Sequence, residues 1–201
     1  VYKRQVEDVW RRALAAEQLV GAALEDLTAG GWEVVHSIVL PGDALISHLL
    51  IGPGGVFCVA AEQVRGARAR VDDAAVRVDG EREQRPYVRR ARHSAARCTM
   101  VLSRGCGYPV RVRPVLVLVG VAEVEVAPSL EDVRVLREPE VSRLGALGGV
   151  LRPDRVDRIH TVARDRRAVA GGVRPRRART ASGPGARPRT ARGAAAPGPR
   201  W

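Results

Sequence analysis

Glu17 is the acid whose setting most invites chemistry. It falls within a helical stripe of apolar residues, about 20° from Trp10 in projection at 100° per residue. A carboxylate turned inward is costly unless a partner or a metal ion holds it. Two placements stay open: inward against such a partner, or at the edge of the stripe with its head in water. The histidines, His36, His48, His93 and His160, are scattered singly, which suits satisfied structural residues better than general bases. Cys58, Cys98 and Cys106 have neither a neighbouring base nor C-x-x-C spacing, and Ser47 lacks the strand-to-helix elbow of a hydrolase nucleophile. Nucleophilic catalysis and a structural zinc site are both disfavoured. Gly52-Pro53-Gly54-Gly55 reads as a hairpin turn, without the Gly-Lys-Ser/Thr that cradles phosphates in a P-loop. Positive charge is concentrated elsewhere: Arg85, Arg89, Arg90, Arg92, His93, Arg97 and Arg104 fall in an arc of roughly 160° of one helix.

These side chains need elements to position them. Periodicity of three and four predicts a first helix over 6–27, stopped by Gly30 and Gly31. Strands follow at 32–40, 44–51 and 56–61, the last two joined as a hairpin, with short strands at 67–71 and 75–78. A second helix over 85–104 buries Tyr87, Val88, Ala91, Ala95, Cys98 and Leu102 opposite its cationic arc. The run 112–120 is nearly continuously apolar, as in a strand covered on both faces. Short strands at 124–126 and 133–136 and two closing helices, 138–147 and 153–167, complete an α/β or α+β core.

Composition narrows the class. Among 201 residues 45% are hydrophobic but only 3% aromatic, so the core rests on Val, Leu, Ile and Ala, and an RNA-binding sheet of stacked aromatics is excluded. No run approaches the length of a membrane span, which predicts a soluble protein without a membrane partner. The formal charge of +12 divides unevenly: residues 171–201 hold 8 Arg and no acid, leaving +4 for the rest. Lys3 is the single lysine among 34 basic residues, a usage that GC-rich coding sequence produces without selection for phosphate binding. Residues 169–201, rich in Arg, Pro and Gly, read as a disordered basic tail. Residues 1–5 (VYKRQ) read as the translation of a sequencing adapter, which places the domain at 6–168. An odd number of unpaired cysteines fits a reducing, cytoplasmic setting. Oligomeric state is not legible.

Between Gly31 and Gly66 the chain carries Gly31, Trp32, Val34 and His36 as G-W-x-V-x-H, then Ile46, His48 and Ile51–Phe57 as I-x-H-x-x-I-G-P-G-G-V-F, then Arg65-Gly66. Further on come Pro86, Tyr87, Arg89, Ala91 and Arg92, and the strand Val112, Pro114–Leu116. With these blocks the sequence resembles the nuclease-related domain (NERD) family over roughly 12–167, a branch of the PD-(D/E)xK, restriction-endonuclease-like superfamily. The resemblance implies a mixed central sheet flanked by helices. It also implies metal-assisted phosphodiester hydrolysis, in which carboxylates hold Mg²⁺ against a phosphate oxygen and a Lys orients the attacking water.

Set against that pattern, Glu17 matches the helix acid, but Ser47 stands where the family has Asp, Ala60 at the second acid and Glu62 at the Lys. The expectation is a catalytically degenerate domain with no cofactor, His48 and Asp43 lining its cleft. It would bind DNA or RNA without sequence preference through Arg65, Arg68, Arg70, Arg89, Arg92 and Arg97, or else scaffold a protein partner. The alternative is an active, Mg²⁺-dependent nuclease with a relocated site of Glu17, Glu62 and Asp43. Arg65 would stand in for the missing cation there, able to clamp phosphate but not to act as a base.

Overall fold

The computed structural model describes residues 2–41 and 44–165. Asp43 and the 169–201 tail, on which two of the expectations fall, lie outside the described residues.

The order is helix α1 (Tyr2–Glu25), strands β1 (Glu33–Leu40), β2 (Ala44–Gly52), β3 (Gly55–Val71) and β4 (Val76–Val78), then helix α2 (Tyr87–Cys106). Strands β5 (Val112–Val126) and β6 (Arg134–Arg137), a 3₁₀ helix Glu138–Ala146 and helix α3 (Pro153–Arg164) close the domain. The strands form one mixed sheet in the order β1-β2-β3-β5-β6, with β4 added to the far part of β3. β1, β2 and β3 form an antiparallel meander, while β3–β5 and β5–β6 are parallel. A parallel β3–β5 pair requires a crossover, and α2 supplies it. This is the α/β architecture, a mixed sheet flanked by helices, that the sequence implied.

Each face of the sheet has its own core. On one side Val20, Leu24 and Trp32 pack with Leu50, Phe57, Val115 and Val117, under α1 and the 3₁₀ helix. On the other, Leu49, Ile51 and Cys58 pack against Ala95, Cys98 and Leu102 of α2 and Ile159 and Val162 of α3. Val115 to Val119 are buried without a break, because helices cover both sides of β5. Helix α2 buries the face its periodicity predicted and ends at Gly107, whose φ of 79° lets its N–H reach the Ser103 carbonyl.

Three elements differ from the sequence reading. Strand β3 does not end at Ala61. An irregularity between Gln63 and Gly66 shifts the register, and the strand runs on against β5 to Val71↔Val126, so the short segments 67–71 and 124–126 are extensions of long strands. Residues 138–146 form a 3₁₀ helix rather than an α-helix, in a sequence whose Pro139, Ser142 and Gly145 support α-helix poorly. Lastly, α1 buries Ala16, Val20 and Leu24, but Trp10 is 73% and Leu14 55% exposed. No residue from 6 to 15 is buried, so only the second half of α1 lies on the sheet and the apolar stripe holds only there.

Candidate functional site

Strand β2 pairs with β3 only from Gly52↔Gly55 to His48↔Val59. Beyond that point β3 continues without it, and a notch of about 60 Å³ opens, lined by Ser47 of β2, Ala60 and Glu62 of β3, and Arg90 and Ser94 of α2. Glu17 reaches the same place from α1: the Ser47 hydroxyl donates to its Oε1 at 2.9 Å. All four residues aligned with the family's catalytic positions thus meet where β2 and β3 part.

A break in strand alternation makes this possible. In β1, Val35 and Ile38 both turn toward the α2–α3 core although three residues apart, and between them Ser37 holds a φ of 53°. In β2, Ile46 and Leu49 repeat the three-residue step on the same side. Ser47 sits at that break. Its side chain therefore reaches the helix on one face of the sheet while the residue lines a notch facing the helix on the other.

The Glu62 charge in the notch already faces a cation. Arg90 Nη1 stands 3.5 Å from Glu62 Oε1, and the same guanidinium lies 5.7 Å from the centre of the Tyr87 ring. Burial pushes the Glu62 carboxyl above its ordinary value, Arg90 pulls it back, and the Glu17 charge adds to the rise. The family implies Mg²⁺, a hard cation that needs anionic oxygens free to face it in near-octahedral geometry. The residues present do not fit that ion. One Glu17 oxygen accepts from Ser47, Glu62 faces a guanidinium, and Ala60 offers a methyl group. Among the described residues no group of three or more His, Cys, Asp or Glu is placed to hold a metal.

Beside the notch the histidines depart from the sequence reading. His36 and His48, expected to stand singly, share a 2.8 Å contact between their Nδ1 atoms, one donating and the other accepting. His36 Nε2 lies 2.7 Å from Glu25 Oε1 of α1. His48 is 5% exposed and sits beneath α1 rather than lining the notch. Gly21 permits that approach, since a Cβ there would stand 3.2 Å from His48 Cε1. Burial first, then His36, lowers the His48 pKa to about 4, so the ring is neutral at pH 7. The β1–β2 register sets His36 opposite His48, and the equal distance of the two positions from the turn between the predicted strands is the sequence signal for that pair.

The six arginines expected at a nucleic-acid interface divide evenly. Arg68 is bonded to Glu123 at 2.7 Å, Arg70 to Glu125 at 3.2 Å, and Arg92 to both Asp132 and Asp73 at 2.6 and 3.1 Å. Parallel pairing sets Arg68 opposite Glu123 and Arg70 opposite Glu125, so these ion pairs follow from the register. Arg65, Arg89 and Arg97 form no ion pair among the described residues, and Arg65 and Arg89 are exposed. Among the described residues no helix is long and apolar enough to cross a membrane.

Comparison with curated proteins and with solved structures gives no match. The family model described as "Nuclease-related domain" matches residues 12–119, more than half of the chain, and takes in α1 from Arg12 onward, the meander, α2 and the first half of β5. The chain belongs to the nuclease-related domain (NERD) family, and through it to the restriction-endonuclease-like superfamily.

Proposed function

We propose that this domain no longer cleaves phosphodiesters and acts by binding nucleic acid through its backbone phosphates. The observation that carries the reading is the notch itself. Four family positions converge there, yet a hydroxyl, a methyl group and an arginine-paired acid occupy the places of two metal-binding carboxylates and a lysine. Of the six arginines expected at the interface, Arg65, Arg89 and Arg97 are left to meet phosphate, with affinity that falls steeply as salt rises. The buried free thiols Cys58, Cys98 and Cys106 support a reducing, cytoplasmic setting.

One observation favours a second reading. The Glu17 charge acts on Glu62, so two carboxylates do stand near each other, and a divalent ion could relieve their repulsion. Cleavage of single- and double-stranded DNA with and without Mg²⁺ decides between them. Under the first reading the native chain and Glu17→Ala are equally inactive, and the combination Ser47→Asp, Ala60→Asp, Glu62→Lys gains Mg²⁺-dependent cleavage. Native cleavage that disappears in Glu17→Ala overturns it. Filter binding at rising salt tests the binding role, with Arg89→Ala/Arg97→Ala expected to weaken affinity and flatten its salt dependence. If removal of residues 171–201 abolishes all affinity, the folded domain has no such role.

A further inference from the structure

At the other end of the sheet, where β3 and β5 begin, lies a cavity of about 630 Å³. We propose that it binds a phosphomonoester of nucleotide size. Arg111, Arg113, Arg152 and Arg155 line it, and no acid does. Arg111 and Arg113 flank the start of β5, and Arg152 and Arg155 stand at the amino-terminal end of α3. None of the four forms an ion pair among the described residues, whereas Arg68, Arg70 and Arg92 each have a carboxylate. Asp154, the acid between two of them in sequence, is exposed and pairs with neither.

Two of the guanidiniums are held in place. Arg113 Nη2 donates to the Gly54 carbonyl at 2.8 Å, and its Cζ lies 5.0 Å from the Phe57 ring centre. Gly55, at a φ of 121°, leaves that guanidinium its room, because a Cβ would stand 2.9 Å from Nη2. The glycine-rich turn is thus no phosphate cradle of its own but the seat of an arginine. Arg155 stacks on Tyr108 with Cζ 4.0 Å from the ring centre. At the start of α3, Pro153 has no N–H and Arg152 gives no side-chain cap, so the positive end of the helix dipole adds to the field.

Four like charges around one cavity, none in an ion pair among the described residues, favour an anion of more than one charge. A phosphomonoester brings about −1.5 to −2 and three terminal oxygens, which suit the two-pronged hydrogen bonding of guanidinium. Apart from the Tyr108 hydroxyl the other side chains of the lining are apolar, with Val56, Val110, Leu151 and Ile159 among them, and the volume falls within the range of small-ligand sites rather than of a bare ion. Along β3 the cavity at Gly55 and the notch at Ala60 are five residues apart, roughly 17 Å at strand rise, so this site is independent of the reading given to the notch.

Calorimetric titration of the full chain at low ionic strength with adenosine 5′-monophosphate, adenosine and inorganic phosphate tests the proposal. The nucleotide is expected to bind at least tenfold more tightly than either fragment. Arg111 and Arg152 are exposed, so Arg111→Gln/Arg152→Gln should keep its circular dichroism and melting point while losing at least tenfold in affinity. Arg111→Gln alone is the milder variant, with a threefold loss. Arg89→Ala/Arg97→Ala should leave nucleotide binding unchanged, which separates this site from the proposed nucleic-acid face. A 5′-phosphorylated oligodeoxynucleotide against its 5′-hydroxyl counterpart distinguishes a strand end from a free nucleotide as the source of the phosphate. No saturable nucleotide binding, or binding unchanged in both arginine variants, overturns the proposal.

Discussion

The notch and the arginine cavity lie on the same strand and treat charge in opposite ways. In the notch each acid has a partner within the fold: Glu17 the Ser47 hydroxyl, Glu62 the Arg90 guanidinium. In the cavity four arginines share one lining and none pairs with a carboxylate among the described residues. A family resemblance directs attention to the notch, because that is where the aligned positions fall. Electrostatics directs it to the cavity, because an unbalanced field is what a ligand can balance. Family resemblance locates where the aligned positions gather; internal charge balance indicates what a site can receive.

Trp32 offers the largest way to break the contrast. It is 1% exposed, lies 6.1 Å from Phe57 between ring centres, and fills the space above the hairpin turn, where a Cβ on Gly52 would come within 2.3 Å of its ring. Trp32→Ala should cost about 3–5 kcal/mol in urea unfolding. Because Phe57 carries Arg113, the loss should reach the cavity before the notch: nucleotide affinity should fall under conditions where the variant is still folded. Equal affinity would mean that the turn does not hold Arg113 in place.

Acid should loosen the notch side instead. The His48 pKa is depressed, so its unfolded form takes up a proton near pH 6.5 while the folded form resists until about 4. Its contribution is therefore complete above pH 6.5 and is lost as pH falls through 4, up to about 3 kcal/mol from the size of the shift. Urea unfolding between pH 7 and 4 should show this slope, and His48→Gln should flatten it. Glu62 acts with the opposite sign. Its raised pKa favours folding below about 4.5 and the benefit fades as pH rises through the folded value, with Arg90, Glu17 and Arg85 as the charges facing it. Glu62→Gln should gain stability relative to the native chain at pH 7 and lose that advantage at pH 4.

How much of this was legible depends on whether a feature is local. The buried face of α2 and the doubly covered run of β5 follow from periodicity, and both stand as read. The exposed half of α1 could not be seen, since Trp10 and Leu14 have the right period but no sheet beneath them. Nor could the break at Ser37 and Ser47, which exists only once two strands are paired. Family spacing indicated Glu17, Ser47, Ala60 and Glu62 as one group; that Arg90 would neutralise Glu62 needed the crossover to lay α2 on the sheet. The arginine cavity draws on segments some forty to a hundred residues apart, Gly55, Arg113 and Arg155, and no motif joins them.

The smallest effects sharpen the contrast within the arginines themselves. Arg92 joins α2 to Asp132 and Asp73, so Arg92→Ala should lower stability by about 1–2 kcal/mol, as charged hydrogen bonds on a half-buried side chain do. Arg89 is exposed and has no such bond among the described residues, so Arg89→Ala should change stability by less than about 0.5 kcal/mol. Binding should rank them in reverse: Arg89→Ala should weaken DNA affinity and reduce its salt slope, while Arg92→Ala, whose charge is already spent, should leave the slope as it was. An arginine held by the protein's own acids releases no counterion when DNA arrives. If the Arg92 variant lost the larger share of the salt slope, those acids would have to let go on binding, and internal charge balance would no longer separate the structural arginines from those that meet phosphate.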